Sequence, residues 1–204
     1  PTHSYMKMLY KYPQDAFPYH QLVEENSRRS KNDPEFELID TGLFDEDRYF
    51  DVFIEYAKAE KEDILIRITI HNRGKVAAPI HVLPTIWFRN TWDWGYDDYK
   101  PRMMTSNEGD IIIEHKDLGE FTLSGEERDM HLFCDNETNV DRLYGVPGTG
   151  YFKDGINEYI VGKKPDAVNY QQGTKAAVHY QRVVPPGESV VVRLRLQNGC
   201  GFVP

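Results

Sequence analysis

A two-residue alternation between Asp63 and His71 constrains the fold more than any other feature of the sequence. Isoleucine occupies every second position of this stretch, at Ile64, Ile66, Ile68 and Ile70. Because successive side chains of a β-strand point to opposite faces, the pattern predicts a strand with one apolar face. The Asn72-Arg73-Gly74 sequence that follows is typical of a turn between strands.

Further strands are predicted along most of the chain after residue 49. The predicted ranges are 49–56, 77–90, 110–115, 119–123, 130–134, 176–184 and 189–196. Pro79 and Pro84 predict an edge strand, a bulge or a break within 77–90. The Gly-, Asn-, Asp- and Pro-rich segment 136–169 is predicted as loop with a helical turn near Ala167. Many short, turn-linked strands and few helices indicate a mainly β fold, an antiparallel β-sandwich of the super-sandwich type.

The N-terminal part differs from the rest, and we expect two regions. Residues 1–42 form an aromatic-rich lead and a short helix, at about 18–30, that pack on the sandwich of residues 43–204. Tyrosines of the lead either stack on a ligand or fill a seam between domains: Tyr5, Tyr10, Tyr12 and Tyr19. The neighbouring Met6, Met8 and Leu9 favour the seam.

Composition excludes several classes of partner. A formal net charge of -9 over 204 residues argues against a nucleic acid or an anionic membrane. No run of about 18 apolar residues encodes a membrane span. The start at Pro1, without Met or signal peptide, suggests a truncated segment. Cys134 and Cys200 favour two free thiols in a cytoplasmic protein over a single disulfide, and no cofactor is expected.

All three tryptophans lie between Trp87 and Trp94, which makes this segment the candidate site. We expect a strand that ends in an acidic loop, with Phe88, Trp92 and Trp94 on one side. Aromatic faces beside polar groups suit a sugar, and the candidate sugar-binding residues are Arg89, Asn90, Trp92 and Trp94. A buried contact between domains is the other interpretation and is favoured.

The remaining clusters do not predict catalysis or a metal. The acidic groups Asp45-Glu46-Asp47 and Asp93, Asp97 and Asp98 are typical of solvated loops, and they lack a standard calcium-loop spacing. The histidines have no zinc spacing, and His71, His81 and His179 are expected to hydrogen bond within sheets. We therefore predict no catalytic residue and no metal ligand in this chain.

Several strings of the sequence resemble bacterial glycoside hydrolase family 63-like proteins, the relatives of processing α-glucosidase and mannosylglycerate hydrolase. The similar strings are Thr2-His3-Ser4-Tyr5-Met6-Lys7, Leu9-Tyr10-Lys11-Tyr12-Pro13-Gln14, Ala16-Phe17-Pro18-Tyr19, Leu22-Val23-Glu24-Glu25-Asn26, Asp33-Pro34-Glu35-Phe36-Glu37-Leu38, Phe44-Asp45-Glu46-Asp47-Arg48-Tyr49-Phe50-Asp51-Val52, Asp63-Ile64-Leu65-Ile66-Arg67-Ile68 and Leu83-Pro84-Thr85-Ile86-Trp87-Phe88-Arg89-Asn90-Thr91-Trp92.

The resemblance implies an N-terminal β-sandwich followed by a catalytic (α/α)6 barrel that carries the acid and base of an inverting mechanism. This chain resembles most of the sandwich and lacks the barrel, so it is expected to be inactive alone. The expected partners are the barrel, an oligosaccharide or glucoside bound at the segment around Trp92, and a second copy in a homodimer through the exposed domain interface. The alternatives are a free-standing carbohydrate-binding module and an Ig-like interaction module.

Overall fold

The computed structural model describes residues 3–199, and in this range the chain is an antiparallel β-sandwich. The strands are β1 Tyr5–Pro13, β2 Tyr49–Glu60, β3 Asp63–Asn72, β4 Ala78–Val82, β5 Thr85–Trp87, β6 Arg102–Thr105, β7 Ile111–His115, β8 Gly119–Gly125, β9 Met130–Cys134, β10 Gln172–Gly173, β11 Lys175–Val184 and β12 Ser189–Asn198. The helices are α1 Tyr19–Ser27, α2 Val140–Tyr144 and α3 Gly155–Ile160, with 3-10 turns at Leu38–Thr41 and Pro165–Ala167. The mainly β class predicted from the alternation is confirmed.

The first of two compact units contains the described residues up to Tyr56 together with Arg67–Ile80 and Arg182–Val192. Its strands follow the order β1-β2-β3-β12. Along β3, Ile68 and Ile70 are buried while Leu65 and Arg67 are exposed, as the alternation predicts. β1 lies at the end of this order and is therefore an edge strand.

The second unit contains Ala57–Ile66, His81–Gln181 and the described residues from Arg193 onward. One sheet continues in the order β12-β8-β7-β6-β10, while β9 and β5 pair with β11 in another. The two sheets pack closely at Gly125 of β8. A Cβ at this position would lie 2.5 Å from the hydroxyl oxygen of Tyr180 and 3.5 Å from Cγ1 of Val178, both on β11. Glycine is required here because any side chain would separate the sheets.

Three local expectations need correction. The predicted strand 77–90 is divided at Leu83-Pro84 into β4 and β5, because proline supplies no N–H to the ladder. Segment 136–169 contains α2 and α3 in addition to the 3-10 turn at Ala167. The aromatic lead is itself a strand, β1, and not only a segment that packs on the sandwich. The predicted helix near residues 18–30 is confirmed as α1.

Other findings bear on class and chemistry. No helix among the described residues is long and apolar enough to cross a membrane, since the longest, α1, has 9 residues.

Cys134 is a free, fully buried thiol, whereas Cys200 lies outside the described residues. Burial raises the pKa of the Cys134 thiol to about 11, so the thiol stays protonated at neutral pH.

Asn72, at the end of β3, is a fully buried polar hub of the first unit. Its amide nitrogen donates to the carbonyl oxygens of Val76, at 2.7 Å, and Val184, at 2.9 Å. Its carbonyl oxygen accepts from the backbone N–H of Gly74, at 2.9 Å, and from the Gln14 amide, at 2.7 Å. The side chain therefore joins β3 to the end of β11, to the following turn and to the segment after β1.

Replacing Asn72 by alanine is expected to lower the free energy of unfolding by about 3 kcal/mol, because several buried polar groups lose their partner at once. Urea denaturation of the Asn72→Ala variant measures this loss. Asn198→Ala, at an exposed position of β12, is the matched control and should change stability by less than about 0.5 kcal/mol. Equal small losses in both variants would contradict the hub role.

Candidate functional site

The tryptophan segment is a turn, not the continuation of a strand. β5 ends at Trp87, and residues 92–95 form a turn in which Gly95 has a φ of +73°. The side-chain oxygen of Asn90 accepts from the backbone N–H of Asp93 at 3.0 Å. Such local side-chain bonds compete with a sheet ladder. The expectation that strand alternation places Phe88, Trp92 and Trp94 on one side is therefore wrong.

Two of the predicted sugar-binding residues anchor this turn. The indole N–H of Trp92 donates to Oε1 of Glu137 at 2.8 Å. The Asn90 amide donates to the carbonyl oxygen of Asn136 at 3.0 Å, and the Asn136 amide donates to the carbonyl oxygen of Phe88 at 2.8 Å. Trp92 is half-buried, so its indole N–H and part of its ring already contact other residues of the chain.

The other two predicted residues, Arg89 and Trp94, are exposed. Trp94 is 66% exposed and Tyr96 is 78% exposed, and their ring centroids lie 6.2 Å apart at an interplanar angle of 76°. Trp87 is exposed as well. Exposed, neighbouring aromatic rings offer apolar area to a ligand without first breaking internal contacts. The four predicted residues thus divide into two anchors and two accessible side chains.

Lys100, Asp135 and Glu137 form an ion cluster beside Trp92 that the sequence did not predict. Nζ of Lys100 donates to Oδ2 of Asp135 at 3.0 Å and to Oε1 of Glu137 at 2.8 Å. Oδ1 of Asp135 accepts from both the backbone N–H and the hydroxyl of Thr174, each at 3.2 Å. Lys100 and Thr174 lie far from Asp135 and Glu137 in the sequence, so no spacing pattern links the cluster.

The pKa values of this cluster follow from burial and charge. Burial would raise the pKa of Glu137, but the hydrogen bonds from Lys100 and Trp92 outweigh it and hold the pKa below its ordinary value. Burial would lower the pKa of Lys100, but its bonds to Glu137 and Asp135 raise it above the ordinary value. Both groups are therefore charged at neutral pH.

Of the acidic loop residues Asp93, Asp97 and Asp98, one is paired with a lysine and two are exposed. Asp97 pairs with Lys116 and accepts the backbone N–H of Tyr99 at 3.0 Å, while Asp93 and Asp98 are exposed. Within residues 3–199, no group of three or more His, Cys, Asp or Glu side chains could hold a metal ion. The loop carboxylates are consistent with solvated turns.

Two of the three histidines expected to hydrogen bond within sheets, His81 and His179, bond to each other, whereas His71 packs its ring against Phe53. Nδ1 of His81 and Nε2 of His179 lie 2.8 Å apart, with the two rings stacked. Nδ1 of His131 lies 3.3 Å from the Thr105 hydroxyl, and burial lowers the pKa of His131 to about 4. Burial also lowers the pKa of His81, so His81 and His131 are neutral at neutral pH.

A second candidate surface is the apolar side of β1. The odd-numbered residues of β1 share a face of the sheet with odd-numbered residues of β2: the Tyr5 hydroxyl donates to Oε1 of Glu55 at 2.6 Å, and Nζ of Lys11 donates to Oδ1 of Asp51 at 2.7 Å. Because strand side chains alternate, the other side of β1 carries the even-numbered residues. These are all apolar or aromatic and all exposed: Met6, Met8, Tyr10 and Tyr12.

This stripe of Met6, Met8, Tyr10 and Tyr12, hereafter the β1 stripe, continues the inner face of the sheet. On β2 the even-numbered side includes Phe50, which is 1% exposed and belongs to the core. Paired strands place equivalent sides on one face of the sheet, so the β1 stripe extends the core-facing surface to the edge strand. Met6 is nevertheless 60% exposed and Met8 54% exposed, so described residues leave this part of the face largely uncovered.

No protein-family model matches the chain. The chain is similar to a protein of Saccharomyces cerevisiae described as uncharacterized protein YMR196W, with 38% identity over 237 residues. The alignment covers 97% of this chain and 22% of the yeast protein. The chain therefore spans about a fifth of the length of the curated relative it matches.

Replacing Glu137 by glutamine tests the ion cluster through its pH dependence. A carboxyl whose pKa is lower in the folded than in the unfolded chain stabilises the fold above the unfolded pKa and loses this effect as the pH falls. We therefore expect Glu137→Gln to lower the free energy of unfolding by about 1 kcal/mol at pH 7. The difference from the wild type should vanish as the pH falls below the ordinary value of 4.5.

Urea denaturation at several pH values, followed by tryptophan fluorescence, measures this difference. Glu126→Gln is the matched control, because Glu126 pairs with Arg193 at a much more exposed position. A difference between Glu137→Gln and the wild type that persists unchanged at pH 3 would contradict the assignment to the Glu137 charge.

Proposed function

We propose that this chain is a non-catalytic β-sandwich module that docks through the β1 stripe onto another part of a longer polypeptide. The observation that carries the proposal is the uncovered inner face of the sheet at β1. Apolar surface of this kind is unfavourable in water and typically marks an interface. The odd-numbered side of β1 is fixed to β2 by charged hydrogen bonds, so the stripe is held in place for a partner.

The proposed occupant of the stripe is the remaining part of the same polypeptide. The yeast relative has a much longer chain, of which the matched region is only 22%. A longer chain of this kind would supply the apolar surface that the β1 stripe lacks. Since both parts belong to one chain, their effective concentration is high and a modest interface suffices.

The resemblance described above supports a finer proposal. The parent polypeptide is a glycoside hydrolase family 63-like α-glycosidase of carbohydrate metabolism, and the docked part is its (α/α)6 barrel. In this arrangement the sandwich supports the barrel and shapes its substrate pocket, while the acid and base of the reaction lie in the barrel. The described residues supply no competing catalytic constellation, which is consistent with a supporting role.

Placing two lysines in the β1 stripe tests the docking. In the parent polypeptide, the Met8→Lys, Tyr10→Lys double variant should lose most α-glucoside hydrolysis, because charged groups would be buried at the interface. In the isolated chain the same variant should change the free energy of unfolding by less than about 0.5 kcal/mol, because both positions are exposed. It should also abolish any concentration-dependent self-association, measured by sedimentation velocity.

The matched control is Val191→Lys, at an exposed apolar position of β12. This variant should leave hydrolysis and self-association unchanged. Normal hydrolysis by the parent carrying the two lysines would contradict docking through β1. A wild-type parent that hydrolyses no α-glucoside would contradict the glycosidase assignment. Docking through β1 would then be tested by comparing the thermal stability of the wild-type parent with that of the parent carrying the two lysines.

The exposed rings of Trp94 and Tyr96 favour a second candidate function, a carbohydrate-binding module. Here a sugar would stack on Trp94 with Arg89 as a polar contact. Titration with maltose, followed by tryptophan fluorescence, should give a saturable shift that is lost in Trp94→Ala. Tyr144→Ala, at another exposed aromatic position, is the control. An unchanged titration in Trp94→Ala would remove this candidate.

A further inference from the structure

A cavity of about 360 Å³ lies within the second unit, beside the ion cluster of Lys100. Its size is at the lower end of small-molecule sites, which suits one small ligand. The lining side chains used in the argument are Lys100, Arg102, Asp135, Tyr151 and Gln172. Part of the lining is Gly173, where a Cβ would lie 2.4 Å from the carbonyl oxygen of Cys134. A side chain at this position would collide with the backbone of Cys134, so the cavity wall is formed here by the backbone of Gly173.

The charges around the cavity nearly cancel. Lys100 is matched by the two carboxylates of Asp135 and Glu137. Arg102 donates through Nε and Nη2 to the amide oxygen of Gln172, at 3.1 and 2.8 Å. Among these lining residues, Arg102 is the charged side chain that has no oppositely charged partner. Arg102 is exposed, so solvent screens this charge. A strongly anionic ligand would meet the carboxylate of Asp135, and a cationic ligand would meet Lys100.

The cavity nevertheless has hydrogen-bonding capacity that the fold does not use. In the described part of the chain, the Tyr151 hydroxyl and Nη1 of Arg102 have no protein hydrogen-bond partner. Oδ1 of Asp135 already accepts two donors from Thr174, whereas Oδ2 accepts only from Lys100 among the described residues and can accept one further donor. The site thus combines donors and an acceptor beside the flat ring of Tyr151.

We propose that this cavity binds a neutral, polyhydroxylated ligand of about the size of one sugar ring. Each hydroxyl both donates and accepts, and therefore matches a cavity that presents Tyr151, Arg102 and Asp135 together. The ring of Tyr151 offers an apolar face for the C–H groups of such a ligand. The inference does not depend on the docking proposal, because the β1 stripe contributes no residue to the cavity.

The cavity is linked to the tryptophan segment through the ion cluster. Lys100 lines the cavity and bonds to Glu137, which in turn accepts the indole N–H of Trp92. A ligand that bonds to Asp135 competes for part of the Lys100 interaction and alters the environment of Trp92. Tryptophan fluorescence is therefore a second readout of occupancy, independent of the heat of binding.

Calorimetric titration of the whole chain with D-glucose, glycerol and inorganic phosphate tests the proposal. D-glucose is expected to bind at a single site with a dissociation constant of about 1 to 10 mM, glycerol more weakly and phosphate not measurably. Tyr151→Phe should weaken D-glucose binding about five-fold and Arg102→Met about ten-fold, because each removes a hydrogen bond, the second one charged.

The matched controls are Tyr144→Phe and Arg193→Met, which remove the same groups at exposed positions away from the cavity lining. Both should bind D-glucose like the wild type, and so should Trp94→Ala. No saturable binding of D-glucose up to about 50 mM would overturn the proposal. Binding of phosphate in preference to D-glucose, or binding that both cavity variants leave unchanged, would overturn it as well.

Discussion

The buried side chain of Asn72 fixes the geometry on which the first unit depends. One amide satisfies backbone groups of β11, of the turn after β3 and of Gly74, and it also holds the Gln14 side chain. These partners come from segments that are far apart in the sequence. An apolar residue of similar size could fill the space but would leave the carbonyl oxygens of Val76 and Val184 without this donor, and buried carbonyls without donors are costly. The polar hub therefore specifies where β3 ends and where the segment after β1 must lie.

This fixed end of β3 explains why β1 can remain in place although most of its side chains are exposed. Asp51 on β2 accepts from Lys11 of β1 and from Arg73, which follows β3, each at 2.7 Å. Burial would raise the pKa of Asp51, but these two hydrogen bonds outweigh it and keep the pKa below its ordinary value. An edge strand held by charged groups on one side can present an apolar stripe on its other side without losing its register. An exposed apolar stripe on an edge strand is typical of an interface, which is the basis of the docking proposed above.

The sequence predicted the parts of the fold that follow from periodicity. The prediction of β3 needed only the two-residue repeat of a strand. The acidic loop was expected, but strand alternation was assumed as far as Trp94, because the apolar run through Ile86, Trp87 and Phe88 gives no sign of the local bond from the Asp93 N–H to the Asn90 side chain. The helices α2 and α3 are too short to produce a helical repeat. Lys100, Asp135 and Tyr151 could not be predicted as one site, since they belong to separate segments that meet only in the folded chain.

The division of the tryptophan segment into anchored and exposed residues connects the fold to recognition. The side chains of Trp92 and Asn90 donate hydrogen bonds to Glu137 and Asn136, and these bonds anchor the turn. Trp94 has no such bond to the residues that the structure describes and lies exposed on this anchored turn, so a partner or ligand that contacts it does not have to order the loop first. The same Glu137 is bound by Lys100, whose ammonium group also lines the cavity. One ion cluster thus contacts both the turn that carries the exposed rings and part of the cavity wall.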